Sequence, residues 1–231
     1  MPIPKTLNQD FFKTWSSEMA YVLGYFAADG SMIPHKNGGH YIEFTSTDRI
    51  LLEHVQGVTG SNHHISTRPT RGEKWKTAFR LQVGSKEWFQ DLTALGFTPN
   101  KSQTLAFPDV PQSCLGGFVR GYFDGDGCVY FNSLKFADRK NKRWILLTLF
   151  TSGSREFLES LLSRLRAHGM RGGNVLSKER GFDLRFSHSD SLALCQLMYN
   201  TGQVSNLYLP RKREKLERAI QVLGLDKELR L

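Results

Sequence analysis

Cysteine is scarce in this sequence and never paired. Cys114, Cys128 and Cys195 are far apart, odd in number and form no Cys-x-x-Cys motif. That excludes a disulfide framework and a cysteine-based zinc site, and it points to a reducing intracellular compartment, either prokaryotic cytoplasm or an organelle. The seven histidines are scattered as well. The His63–His64 doublet has no partner at ligand spacing and reads as a polar loop or strand. With no apolar run of about 18 residues, no membrane-crossing helix is expected. Neither a signal peptide nor an Arg/Ser-rich leader is visible. The ends carry no splicing nucleophile and no terminal His-Asn, so the chain reads as free-standing.

Acidic side chains are in deficit, with 22 Asp+Glu against 31 Lys+Arg and a net charge of +9. Residues 116–231 hold +8 of that +9. An excess of this kind suits a polyanionic partner, although many basic soluble proteins share it. At 231 residues the chain is one large domain or two small ones, with room for a full core.

What is present is a patterned use of glycine. Gly116–Tyr130 places Gly117, Gly121 and Gly125 every fourth residue, along one face of a helix. Glycine inside a helix costs about 1 kcal/mol against alanine, so three on one face call for a closely packed backbone opposite. Ala20–Met32 supplies it, with Ala20, Gly24 and Ala28 on the matching stripe. Valine, glycine, tyrosine, phenylalanine, aspartate and glycine recur in register at six of thirteen positions. Two smooth helices therefore pair, and each ends in an Asp-Gly.

Gly30 and Gly127 read as C′ glycines that stop each helix in the left-handed region. Asp29 and Asp126 then stand at the negative pole of the helix dipole, where two carboxylates repel unless a divalent cation relieves them. The plain alternative is a pair of turn aspartates bonded to local backbone, which two in-register copies on paired helices disfavour. A calcium loop starting at Asp124 fails, because its twelfth position is Lys135 and not glutamate.

Val22–Gly30 (Val-Leu-Gly-Tyr-Phe-Ala-Ala-Asp-Gly) and Val119–Gly127 (Val-Arg-Gly-Tyr-Phe-Asp-Gly-Asp-Gly) resemble two copies of the motif of the LAGLIDADG homing endonucleases. The likeness to the monomeric, two-repeat form covers nearly the whole sequence. It implies an α+β fold in which two four-stranded antiparallel sheets form a saddle over double-stranded DNA, with the motif helices at the interface.

Along the chain, residues 1–16 are a lead-in, 17–111 and 112–210 the two repeats, and 211–231 a basic C-terminal helix. Ser16 or Ser17 caps the first motif helix. Ser31–His35 and His40–Thr45 read as a hairpin in which Tyr41, Glu43 and Thr45 share the face opposite Ile42 and Phe44. After a short helix, a strand over Trp75–Val83 alternates, with Lys74, Lys76, Arg80 and Gln82 on one side, and Arg68 ends its partner strand. A solvated face is the bland reading; nucleic-acid contact is the sharper one. Phe44-Thr45-Ser46 returns as Phe150-Thr151-Ser152 at an offset of 106, against 97 between the motifs. Nine extra residues therefore fall in Asn132–Arg143, whose Lys135, Arg139, Lys140, Lys142 and Arg143 form either a groove-reaching arm or a solvated loop. Lys178 and Arg185 belong to the later hairpin, Arg185 matching Arg80. Each half reads α-β-β-α-β-β-α.

The resemblance implies an intron-encoded, site-specific endonuclease that hydrolyses one phosphodiester on each strand across the minor groove. Asp29 and Asp126 would bind Mg²⁺, with the carbonyls of Ala28 and Gly125 completing the shell; Mn²⁺ or Ca²⁺ would enter the same site, Ca²⁺ without supporting cleavage. Hard carboxylate and carbonyl oxygens suit such ions. Lys101 matches the basic residue that relatives place near the metal. Half two shows Gln203 or Val204 there, which implies unequal cutting of the two strands. Ser46 and Ser152 fall near a water-supporting position, and Asp124, opposite Ala27, is not expected to serve both cuts. An RNA maturase and an inactive DNA-binding regulator are the other readings on this fold. Two retained aspartates favour the nuclease, since a pure binder gains nothing from facing carboxylates beside phosphate.

Overall fold

The computed structural model describes residues 4–68, 72, 76–135, 141–200 and 206–225. The first half runs α1 (Ser17–Asp29), β1 (Gly30–Pro34), β2 (His40–Ser46), α2 (Arg49–Val58), β3 (Ile65–Arg68), β4 (Ala78–Gly84) and α3 (Lys86–Ala94). The second repeats it as α4 (Leu115–Asp126), β5 (Gly127–Leu134), β6 (Arg143–Ser152), α5 (Arg155–Ala167), β7 (Asn174–Lys178), β8 (Gly181–Ser187) and α6 (His188–Tyr199). A further helix, α7 (Pro210–Leu223), follows. Each half builds one antiparallel sheet, in the orders β1-β2-β4-β3 and β5-β6-β8-β7. The α+β architecture of two matching repeats is the one the sequence implies.

The motif helices lie at the centre because they are apolar nearly all round. Met19 through Ala27 are buried in α1, and Leu115, Gly116 and Phe118 through Asp124 in α4. Ser16 caps α1, its side chain accepting from the Met19 amide. The sheets then cover the flanks with their inward residues, Ile42, Phe44, Leu81 and Val83 on one side and Leu146, Phe150, Leu184 and Phe186 on the other. Trp88 of α3 is buried and donates its indole N–H to the Asn8 carbonyl at 2.9 Å, which ties down the lead-in segment.

Two expectations change. Gly30 and Gly127 are not left-handed caps: their φ/ψ are −87°/157° and −89°/159°, so helix passes straight into strand. Glycine is required for room, since a Cβ at Gly30 would sit 2.0 Å from the Phe26 ring and one at Gly127 2.2 Å from Phe123. The strand read as Trp75–Val83 begins at Ala78, which leaves Lys76 in exposed coil ahead of it. The extra residues of half two lengthen the hairpin itself, with β5 and β6 at 8 and 10 residues against 5 and 7 for β1 and β2. Lys74, Arg139 and Lys140 lie outside the described residues.

Candidate active site

The two motif helices touch backbone to backbone. A Cβ at Gly24 would meet the Phe118 carbonyl oxygen at 2.0 Å, and one at Gly121 would meet that of Tyr21 at 2.0 Å. At Gly117 the added atom would stand 2.9 Å from the Ser17 carbonyl oxygen. At Gly125 it would stand 2.4 Å from the Ala28 Cβ and 3.1 Å from Asp29 Oδ2. The stripe thus brings the last residues of both helices, Asp29 and Asp126, to the same end of the pair. Burial pushes both carboxyls up, Asp29 to about 7, where the neighbouring charge of Asp126 adds to the effect. Lys212 and Lys101 oppose the shift in each case.

Those two lysines occupy equivalent places. Lys101 opens a 3₁₀ turn over Lys101–Gln103, and its buried Nζ donates to the Ala27 carbonyl at 2.9 Å. Lys212, on α7, donates to the carbonyls of Phe123, Asp124 and Gly125 at 2.7, 2.8 and 3.1 Å. Each ammonium lies 5.4 Å over the matching phenylalanine ring, Phe26 or Phe123. Carbonyls at a helix C-terminus lack intrahelical donors, and a cation there satisfies them and the dipole together. Burial lowers each lysine to about 8, against the pull of the nearby aspartates. Half two therefore has its lysine, supplied by Lys212 and not by position 203 or 204, which lies outside the described residues. The Gly125 carbonyl, expected as a metal ligand, already accepts from Lys212; Ala28 lies against Gly125.

Asp124 has a different task. Its buried Oδ2 accepts from the Tyr21 hydroxyl and from the Leu209 amide, both at 2.9 Å. Burial raises this carboxyl to about 6 against those bonds. It pins α1, α4 and the approach to α7 together, and so sets where Lys212 arrives. Arg211 crosses from α7 to the first half, its Nε 2.9 Å from Asp48 Oδ1. Ser46 and Ser152 are engaged alike, their hydroxyls accepting from the amides of Asp48 at 3.0 Å and Ser154 at 3.1 Å. A cleft of about 320 Å³ opens here, lined by Asp29, Thr45, Ser46, Asp48, Gly125 and Arg211.

Residues 16–94 match the family model described as the LAGLIDADG-like domain. They are a LAGLIDADG-like domain. A lysine-to-alanine variant of I-SmaMI superposes with a TM-score of 0.62 at 15% identity, over 91% of this chain and 92% of that one. I-AabMI, a LAGLIDADG meganuclease bound to uncleaved DNA, gives 0.61 at 13% identity over 90% and 91%. I-LtrWI, a LAGLIDADG homing endonuclease bound to target DNA, gives 0.58 at 12% identity over 96% and 92%. Likeness at these identities establishes the fold. A curated relative, DNA-directed RNA polymerase subunit Rpo1C of Methanocaldococcus jannaschii, is 21% identical over 226 residues; these are 97% of this chain and 23% of that subunit, so the chain spans about a quarter of its length.

In the LAGLIDADG-like domain the open sheet face carries a carboxylate that organises its neighbours. Glu43, buried by its partners, binds Arg68, lies 3.6 Å from Arg80 and accepts from Gln82 at 3.4 Å. The second sheet does the same from another strand, with Asp183 pairing Lys178 at 2.7 Å and Arg185 at 3.1 Å and accepting from Thr151 at 2.8 Å. Burial raises Asp183, but the bonds from Lys178, Thr151 and Arg185 outweigh it and hold the carboxyl below its ordinary value. Leu81 lies opposite Phe44 and Leu184 opposite Phe150, so Arg185 corresponds to Gln82 and not to Arg80. Tyr41 is half-exposed on β2, and Lys135, Lys142 and Arg143 are exposed at the end of the long hairpin.

Proposed function

We propose that this protein is a divalent-metal-dependent, site-specific DNA endonuclease that cuts both strands of a duplex. The observation that supports it is the pair of half-buried carboxylates, Asp29 and Asp126, at one end of two helices pressed together without side chains. The donor set fits a hard cation: two carboxylates, with a cleft beside Asp29 that has room for water and phosphate, as Mg²⁺ prefers. Burial makes each carboxylate costly without such an ion, and the charge of Asp126 adds to the cost at Asp29. Bound there, Mg²⁺ or Mn²⁺ would polarise a phosphate and favour ionisation of water, with Ca²⁺ filling the site unproductively.

The chain's own groups do the rest. Asp29 and Asp126 each serve one strand. Lys101 and Lys212 hold positive charge between the helix ends and the phosphate, where developing negative charge needs it. Arg68, Lys76, Arg80, Gln82, Lys178 and Arg185 lie on or beside the sheet faces, where they would meet backbone phosphates and base edges in the major groove. The test is incubation with duplex covering the chain's own flanking genomic sequence in Mg²⁺. Double-strand cleavage that is lost in Asp29→Asn and Asp126→Asn, with binding kept, supports the reading. Wild-type binding without cleavage in Mg²⁺ or Mn²⁺ makes the protein a regulator, and binding confined to intron RNA makes it a maturase.

A further inference from the structure

We infer that the second sheet reads thymine methyl groups, so that one half of the target is recognised by apolar contact and the other by hydrogen bonding. The inference rests on the endonuclease reading and adds the chemistry of its substrate. Strand β6 sends Leu146, Thr148 and Phe150 inward, all buried, while Ile145, Leu147 and Leu149 occupy the opposite, half-exposed face. The register sets Tyr130, 38% exposed, beside Leu147. It also sets Leu176 of β7, 43% exposed, beside Asp183 on the same face. At the repeat offset, Leu147 and Leu149 stand where the first sheet has Tyr41 and Glu43.

A solvated antiparallel sheet face is normally polar, and a contiguous apolar patch with a polar rim marks a contact surface. This one is rimmed by cations: Lys178 and Arg185 on the sheet, Lys142 and Arg143 at the hairpin end. Charge complementarity selects a polyanion that offers apolar groups between its phosphates. In duplex DNA those groups are the thymine 5-methyls, which project into the major groove where a β-ribbon fits. Alternate side chains on a strand are about 6.7 Å apart. Base pairs rise about 3.4 Å per step. Ile145, Leu147 and Leu149 therefore match every second base pair. RNA, with uracil, has no such methyl to offer.

The test selects duplexes bound by the full chain in Ca²⁺ from a randomised pool. The consensus is then remade with deoxyuridine for thymidine in each half in turn. Uracil in one half should weaken binding about fourfold for each methyl contacted, and uracil in the other half should leave binding unchanged. Leu147→Ser and Leu149→Ser should erase the difference between thymidine and deoxyuridine, whereas Gln82→Ala should preserve it. The uracil comparison needs no variant, so a misfolded Leu149→Ser does not remove the test. Equal affinity for both forms in both halves overturns the inference and leaves the endonuclease reading standing. So does a consensus without thymine in the half whose profile changes in Leu147→Ser. A chain that selects no duplex overturns both.

Discussion

Lys101 and Lys212 perform the same act on the two motif helices. The first donates to the Ala27 carbonyl at 2.9 Å, the second to that of Asp124, the matching residue, at 2.8 Å. They reach these places from unlike elements, a 3₁₀ turn inside the first repeat and a helix beyond the second.

With a lysine on each side, Lys101→Met and Lys212→Met should each retard one strand, and opposite strands, so that each variant accumulates a different nicked product. The double variant should cut neither. Strand-labelled time courses decide it: equal slowing of both strands in each single variant would mean that the lysines serve the fold or one shared site.

The aspartates, the small-residue stripe and the repeat were legible because they recur within the repeat at fixed spacing. Lys212 was not, because it stands on a helix beyond the second repeat and so has no matching position to Lys101 within it. A signal existed: Lys212, Leu216 and Ile220 fall four apart on one face, so a lysine stands in the apolar stripe of a helix otherwise basic. The glycines after each aspartate read in sequence as C′ glycines, because sequence shows a helix end but not the ring of Phe26 or Phe123 folded against it. Glu43 and Asp183 became visible as organisers only once register placed their cations around them.

Stability without metal should fall as pH rises. Burial raises the folded Asp29 carboxyl to about 7 from an ordinary 3.8, so between those values the folded chain holds a proton that the unfolded chain has released. Stability is then lost on going up from about pH 4 to about pH 7. Melting in chelator from pH 5 to 7.5 should show a falling Tm in the wild type and a flatter profile in Asp29→Asn. Adding Mg²⁺ at pH 7.5 should restore the wild type and not the variant. A wild-type profile in chelator as flat as that of Asp29→Asn would contradict the assignment.

Gly24→Ala should be severely destabilising, beyond the usual overpacking cost of about 1–3 kcal/mol, because the atoms in its way are backbone of Phe118 and Tyr122 at 2.0 to 2.9 Å. Gly57→Ala is the matched control: nothing lies within 4 Å of its added Cβ, and it sits in an exposed part of α2. It should gain up to about 1 kcal/mol. Denaturant titration of both variants checks the contrast, and a Gly24→Ala chain as stable as wild type would mean the helices are not in this contact.

Asp124→Ala should strand the Tyr21 hydroxyl and the Leu209 amide in the interior, at about 1–3 kcal/mol for each. Tyr21→Phe loses one bond and should cost less. Combining the two should recover part of the loss, since the orphaned hydroxyl is gone. Unfolding titrations measure the cycle. Strand-resolved cleavage by Asp124→Ala should show the same nick as Lys212→Met, because both loosen the arrival of α7.

The direct passage from Asp29 into Gly30, and from Asp126 into Gly127, leaves no joint between each sheet and its carboxylate. In an endonuclease of the kind proposed, a sheet rotated by a poorly matched groove would carry its carboxylate with it, so a wrong sequence would be refused by misalignment as well as by weak attachment. Fidelity would then be a property of a stiff lever whose fulcrum is the ring packed under each glycine. Exchange of recognition halves between relatives must keep that lever whole, with the splice made upstream in the helix and never at the aspartate.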